Sequence, residues 1–264
     1  MDLFADKFQI FVLLFARILA LLSIMPAFGG QGVPAFHRVS LSLLISFMAT
    51  PVVEFPEGFE TLIETRFLGL VLEQAFMGIL IGFSLQLLFA AFQMAGEFFS
   101  VQMGFGISEV FDPLAQVSLP LMGTLKNLIA LYVFFVSGAH LMTFQAMVQS
   151  FANHPYFSTE FLSNGAVHIG ILDYLALSGS SMFLVGIKIA FPVMGTLLLV
   201  SITMGILSKA APQMNILMLG FPLKIMVAFL VLTWVSPIMV ELIQSQFDSY
   251  FNHLHELLNS WNTH

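Results

Sequence analysis

The chain of 264 residues contains no cysteine and few charged residues. Without cysteine there is no disulfide framework, no thiolate metal site and no cysteine nucleophile. Charged residues make up only 9% of the chain, whereas soluble domains carry roughly 25%. The chain has 8 basic residues and 15 acidic ones, whereas a groove for nucleic acid requires an excess of basic residues.

Apolar residues dominate the composition, at 58% of the chain with a mean hydropathy of +0.95. A water-soluble shell around such a core would need many more charged side chains. In lipid, backbone amides must be hydrogen-bonded internally, which favours helices. The sequence therefore predicts an all-α, polytopic membrane protein. The N-terminus is predicted as retained structure rather than a secretory signal, because Asp2 and Asp6 outweigh Lys7, and Arg17 interrupts the apolar run.

Six apolar regions are candidates for membrane spans, each of which needs about 20 residues. They are Phe8–Phe28, Val39–Val53, Phe67–Ala95, Gly123–Phe151, Ile171–Ser208 and Asn215–Val240. The second is short and the fifth long, so the number of spans is uncertain by about one. Loops or bent helices are predicted where glycine, proline or acidic residues gather, at Gly29–Pro34, Glu54–Glu64, Gly96–Pro120 and Asn153–Gly170.

Basic residues orient the predicted loops, because lysine and arginine are retained on the cytoplasmic side. Arg38, Lys126 and Lys209 lie in or beside the first, third and fifth loops, whereas Arg66 opposes them. The turn at Ser208–Pro212 is therefore predicted to be cytoplasmic. It joins two apolar segments as a helical hairpin, with Pro212 starting the returning helix and Pro222 bending or interrupting it.

Four charges lie inside apolar runs, namely Arg17, Glu73, Lys188 and Lys224. A charge in lipid is costly and marks a partner or a pathway. These four are scattered, which leaves open a proton relay, ion pairs within or between subunits, and snorkelling to the interface. The GxxxG step at Gly78 and Gly82 predicts close helix packing, without indicating whether the partner helix belongs to the same chain.

The C-terminal residues after Val240 form an amphipathic pattern at helical spacing. The apolar face is predicted to contain Leu242, Ile243, Phe247, Tyr250, Phe251, Leu254, Leu257, Leu258 and Trp261. Asp248, Asn252, His255, Glu256 and Asn259 lie on the opposite face. The pattern leaves open whether the apolar face lies on lipid or against a partner helix.

A catalytic site is not indicated by any motif. His255-Glu256 begins like the zinc-protease pattern HExxH, but Asn259 occupies the position of the second histidine. Neither a GxSxG elbow nor a phosphate-binding GxxxxGK[ST] loop occurs in the sequence. We therefore expect no enzyme activity, no metal and no cofactor.

The segment from Gly104 to Pro120 is apolar, yet glycine and proline prevent a spanning helix from running through it. Such a segment is either a re-entrant plug or an ordinary surface loop. As a plug it would close a pore by dewetting, and its glycines would let it swing aside. The candidate plug residues are Phe105, Gly106, Ile107, Val110, Phe111, Asp112, Pro113 and Leu114.

Two stretches carry a resemblance to a known family. Lys209-Ala210-Ala211-Pro212-Gln213-Met214-Asn215 is followed by Gly220-Phe221-Pro222-Leu223-Lys224, and Phe105-Gly106-Ile107-Ser108 by Phe111-Asp112-Pro113. These residues resemble the FliR family, the R-type subunits of the flagellar type III protein-export gate. The Pro-Gln-x-Asn and Gly-Phe-Pro combination is the specific part of the match.

The resemblance implies a fusion of the two smaller gate subunits, FliP and FliQ. Residues 1–151 would be FliP-like and contain the plug at about 104–120, residues 152–170 would connect, residues 171–240 would form a FliQ-like hairpin, and residues 241–264 the amphipathic helix. FliR-type subunits assemble with FliP and FliQ around a channel for unfolded export substrates in the bacterial inner membrane, within the flagellar basal body.

Specific roles follow from the same resemblance. The plug would close the channel. Lys209, Pro212, Gln213 and Asn215 would form the hairpin tip near FlhB and FlhA, whereas Gly78, Gly82, Gly220 and Pro222 would serve helix packing. The alternatives are the homologous T-type subunit of virulence injectisomes and, from another class, a secondary transporter, although no clear inverted repeat is found.

Overall fold

A computed structural model describes residues 2–30, 33–53, 59–104, 121–153, 165–213 and 216–260. Within this part the regular structure is helical, and the prediction of an all-α protein is confirmed. The helices are α1 Asp2–Ile24, α2 Ala35–Ala49, α3 Phe59–Met103, α4 Leu121–Val136, α5 Ala139–Asn153, α6 Gly165–Ala210 and α7 Ile216–Ser260.

Four helical segments in the described residues are long and apolar enough to cross a membrane. They are Lys7–Ile24, Arg66–Met103, Leu172–Ala210 and Met218–Glu256. A fifth candidate is the pair α4 and α5, which is bent by 66°. Gly138 lies at this bend with φ +74°, a backbone conformation that glycine adopts without strain. The predicted region Val39–Val53 overlaps only the short helix α2. The described residues thus hold four or five candidate spans of a polytopic protein, against the six predicted regions, whose number was uncertain by about one.

Three predicted loops are shorter than expected because helices extend into them. Helix α3 begins at Phe59 and continues through Gly96 to Met103, and α6 begins at Gly165. The boundary at Gly96 was wrong because glycine there does not end the helix: another backbone passes directly over it. The cost of glycine in a helix, roughly 1 kcal/mol, is offset by this close packing.

Pro212 does not start the returning helix, and Pro222 does not interrupt it, whereas a bend at Pro222 remains a prediction. Pro212 lies in the turn, and the returning helix α7 begins only at Ile216. Pro222 and Pro237 are both inside α7, which continues through them. Pro237 cannot donate to the Thr233 carbonyl, but the Ser236 hydroxyl donates to that oxygen over 3.0 Å. A side chain thus replaces the missing backbone donor.

The described chain forms two compact units, and neither follows a single stretch of sequence. Unit 1 comprises residues 1–87, 135–178 and 247–264, and unit 2 comprises residues 88–134 and 179–246. The predicted division into FliP-like and FliQ-like parts remains a prediction.

Close packing of α1 against α3 organises unit 1. A Cβ atom on Gly78 would meet the Arg17 carbonyl oxygen and lie 2.9 Å from the Ala20 Cβ. A Cβ on Gly82 would lie 3.2 Å from the Ile24 Cβ. The partner of the GxxxG step is therefore α1 of the same chain. Without side chains at these glycines, the two helix backbones can approach closely.

The amphipathic C-terminal stretch is continuous with α7 rather than a separate helix. Its buried residues, Ile243, Phe247, Tyr250 and Leu254, all belong to the predicted apolar face. The Tyr250 hydroxyl donates to the Ile81 carbonyl at 3.0 Å and lies 3.0 Å from the Ser84 hydroxyl. This face therefore packs against α3 within the chain, which the sequence had left undecided.

The contact at Gly78 predicts opposite effects of alanine at two glycines of α3. Gly78→Ala forces a methyl group onto the α1 backbone, and we expect a loss of about 1–3 kcal/mol of stability. Gly69→Ala is the matched control, because a Cβ there meets nothing within 4 Å. It should leave stability unchanged or raise it by up to about 1 kcal/mol through helix propensity. Thermal unfolding in detergent measures both, and equal effects would contradict the close approach.

Candidate functional site

The predicted plug lies outside the described residues, which end at Gly104 and resume at Leu121. It comprises Phe105, Gly106, Ile107, Val110, Phe111, Asp112, Pro113 and Leu114. Their role remains a prediction. Gly104, the last described residue before them, has φ +88°, a conformation that favours glycine and ends the helical path of α3.

The helices that flank this segment are packed closely in unit 2. A Cβ on Gly96 of α3 would meet the Met122 carbonyl oxygen and lie 2.6 Å from the Gly123 Cα of α4. A Cβ on Gly123 would in turn lie 3.2 Å from the Glu97 Cγ. Only glycine at position 96 permits this approach. The chain therefore leaves α3 and enters α4 from a tightly joined pair of helices.

A buried lysine lies in the same pair of helices. Lys126 of α4 is 5% exposed, and its Nζ lies 2.9 Å from the Met239 Sδ. The Nζ also lies 5.4 Å from the centre of the Phe99 ring, within the range of a cation–π contact. The ammonium thus contacts a thioether and an aromatic face, which are weak partners for a charge.

Lys126 was missed as a buried charge by the sequence analysis, which placed it beside a loop. Lys126 does lie beside the predicted third loop, near the start of α4, but its side chain is buried within the chain. The predicted orientation of the loops remains a prediction. The signal was present in the sequence, because Lys126 follows Gly123 inside an apolar run. It belonged with the other charges in such runs.

Arg17 is the most completely buried of the charges that the sequence singled out. It is 1% exposed, and its Nη1 donates to the Ser150 hydroxyl of α5 over 2.9 Å. Its guanidinium carbon lies 4.8 Å from the centre of the Phe151 ring. Arg17 therefore joins α1 to α5 by a hydrogen bond and a cation–π contact, beside the place where Gly78 meets the Arg17 backbone.

The other three charges lie on three different helices. Glu73 of α3 is 3.8 Å from Arg66, a long and partly exposed ion pair that contributes little to stability. Lys188 of α6 is exposed, and Lys224 of α7 is half-buried. Among the described residues, no group of three or more histidine, aspartate or glutamate side chains is placed to hold a metal ion.

The hairpin tip presents exposed side chains. Lys209 lies in the last turn of α6, where the Ala211 N–H donates to the Leu207 carbonyl over 2.9 Å. Lys209, Pro212 and Gln213 are exposed. Asn215 lies outside the described residues. The positions predicted to contact a partner are thus accessible where they are described.

The remaining candidates for helix packing are Gly220 and Pro222 in α7. A Cβ on Gly220 would lie 3.6 Å from the Met204 Cε, an ordinary van der Waals distance. Gly220 is therefore not required by a close approach of the kind seen at Gly78. Pro222 is exposed, and the helix continues past it.

The environment of Lys126 predicts that two substitutions at this position will change thermal stability differently. Lys126→Met removes a charge that has weak partners while filling the same space, so thermal stability in detergent should stay equal or rise. Lys126→Ala leaves a cavity and should cost about 2–3 kcal/mol. The unfolding temperatures of both variants check this. An equal loss in both would mean that the charge itself stabilises the fold.

Known proteins match this chain over nearly its whole length. The family described as "Bacterial export proteins, family 1" matches residues 8–250. "Flagellar biosynthetic protein FliR" of Bacillus subtilis (strain 168) is 29% identical over 258 residues, which are 98% of each chain. The protein of that name from Escherichia coli (strain K12) is 29% identical over 245 residues, 92% of this chain and 90% of the relative.

A third relative, "Flagellar biosynthetic protein FliR" of Buchnera aphidicola subsp. Schizaphis graminum (strain Sg), is 32% identical over 216 residues. The match covers 82% of this chain and 81% of the relative. The resemblance to FliR that the sequence motifs indicated is therefore confirmed. The chain belongs to the bacterial export proteins, family 1.

Proposed function

We propose that this protein is a structural subunit of the flagellar type III protein-export gate in the bacterial inner membrane. With FliP and FliQ it would form the channel through which unfolded flagellar proteins cross, and it would have no catalytic role. The flagellar names of its relatives favour this over an injectisome subunit. One structural observation carries the proposal: the chain exposes more apolar helix than a bilayer covers.

Helix α6 contains 46 residues and α7 contains 45. At about 1.5 Å per residue each is close to 70 Å long, measured along its path. A bilayer with its headgroups is about 40–45 Å thick. Large apolar side chains are exposed at both ends of α6, from Leu172 to Leu207. Lipid cannot cover all of this surface, so other protein chains must cover part of it.

Exposure along α7 supports the same conclusion. Of the most apolar 18 residues in the span Met218–Glu256, only 17% are buried inside the chain. Trp234 is 89% exposed. An exposed aromatic side chain of this size commonly anchors an interface between chains, where it fills a pocket of the partner. A helix this poorly covered is suited to packing between neighbouring subunits.

The plug at 104–120 is part of the proposal. It is supported by the sequence pattern and by the close contact of Gly96 with Gly123, which holds the flanking helices together. A segment that starts and ends on one fixed pair of helices can move without separating them. Phe111 and its apolar neighbours would close the channel by excluding water.

Removing the plug is expected to open the channel. In complexes co-expressed with FliP and FliQ, deletion of Gly106–Leu119 should increase ion conductance in planar bilayers, and a Gly/Ser segment of the same length should do so as well. Replacement of residues 154–164 by the same linker is the control and should leave conductance unchanged. If the deletion assembles normally and does not leak, the plug is refuted.

The hairpin tip is expected to contact the switch protein FlhB. Because the chain has no native cysteine, Lys209→Cys and Gln213→Cys place single thiols at the tip. Oxidative or short bifunctional crosslinking in membranes should give adducts with cysteine-substituted FlhB. Phe36→Cys on α2 is the control, since Phe36 is 76% exposed but lies far from the tip in sequence. Adducts from position 36 alone would place the partner elsewhere.

A further inference from the structure

One face of α6 in unit 2 is exposed from Leu184 to Lys209, apart from the half-buried Gly195. The opposite face is buried through Val185, Ile189, Val193 and Leu197. The uncovered residues recur at alternating steps of four and three. We call this set the exposed seam: Leu184, Lys188, Phe191, Gly195, Leu198 and Ile202. The same spacing continues through Gly205 to Lys209.

This spacing is the one that helices use when they pack lengthwise against each other. Residues repeating every 3.5 positions stay on the line that faces a partner helix at a crossing angle near +20°. The apolar members of the seam are 52–70% exposed, with Phe191 the most exposed. A Cβ on Gly195 or Gly205 would meet nothing within 4 Å, so the backbone is bare at both positions. The seam has the pattern of one half of a helix pair.

Lys188 is the second residue of the seam and its one charged member. Among the described residues it forms no hydrogen bond and no ion pair. Its carbonyl also lacks the usual helical donor, because Pro192 has no N–H. Lys188 is thus an exposed residue between Leu184 and Phe191 whose ammonium can donate to a partner and whose carbonyl receives no amide from position 192. A single lysine at such a position fixes the register of a helix pair when the partner supplies the matching group.

We propose that the exposed seam docks a helix of another subunit, and that this helix places a carboxylate opposite Lys188. The inference deepens the proposed function and rests on it. Hydrocarbon about 30 Å thick is long enough for the seam, which is roughly 27 Å from Leu184 to Ile202, but it supplies no acceptor for the Lys188 ammonium. A parallel second copy of this chain would bring Lys188 against Lys188, so the occupant carries the opposite charge.

The test uses the full chain co-expressed with FliP and FliQ, and measures how much of both is recovered with it from detergent-solubilised membranes. Lys188→Met leaves the partner carboxylate buried without its cation, and recovery should fall by at least about tenfold. Lys188→Glu should lower it further, whereas Lys188→Arg keeps the charge and should remain close to the wild type. If Lys188→Met assembles as well as the wild type, or better, Lys188 faces lipid and the proposal is overturned.

A second variant separates docking from folding. Gly195→Leu adds a side chain that meets nothing inside the chain, so helix content and monodispersity should be unchanged while recovery of the partners falls. Unchanged recovery would overturn the seam. Motile revertants of Lys188→Glu should carry an Asp or Glu to Lys or Arg change in a partner subunit. Failure of the wild-type chain to recover FliP and FliQ would instead refute the proposed function.

Discussion

The length of apolar helix is the constraint on which the rest of the structure depends. In hydrocarbon every backbone group must be bonded within the chain, which fixes the helical fold. That requirement does not limit how long a helix becomes. Here α6 and α7 are both longer than a bilayer is thick. Exposed large apolar side chains extend along α6 from Leu172 to Leu207, and along α7 from Met218 to Ile238. The proposed packing against other subunits would cover the part of this surface that lipid does not reach.

Buried cations show a second principle of this molecule. Arg17 and Lys126 are both nearly inaccessible, and each faces an aromatic ring. Arginine also makes a directed hydrogen bond through its planar fork, whereas lysine contacts a soft sulfur atom. The two sites therefore differ in how firmly they hold a charge. Arg17 connects α1 to α5, while Lys126 contacts only a thioether and an aromatic face.

Much of the fold could be predicted because lipid makes strong demands on sequence. Composition indicated the all-α membrane class, and helical spacing identified the buried face at Phe247 and Tyr250. The helix that packs on Gly78 could not be predicted. A GxxxG step indicates a helix face without side chains, but it does not indicate which helix packs there. The end of α3 was placed too early, at Gly96, because glycine lowers helix propensity. In the fold, the close packing of α4 over Gly96 compensates this cost, and α3 continues to Met103. The seam on α6 could not be predicted either. In a helix that is apolar on all sides, the sequence does not indicate which face packs against other helices and which face stays exposed.

The exchange of a backbone donor for the Ser236 hydroxyl has a mechanical consequence. An ordinary helix resists curvature because bending stretches a ladder of amide bonds, whereas a hydroxyl on a rotatable side chain follows its carbonyl as the axis moves. The stiffness of α7 is therefore lowered near Pro237, while the Thr233 carbonyl still accepts a hydrogen bond. A long helix with such a compliant joint can follow a curved neighbouring surface, where a uniformly rigid helix would touch it only at one point.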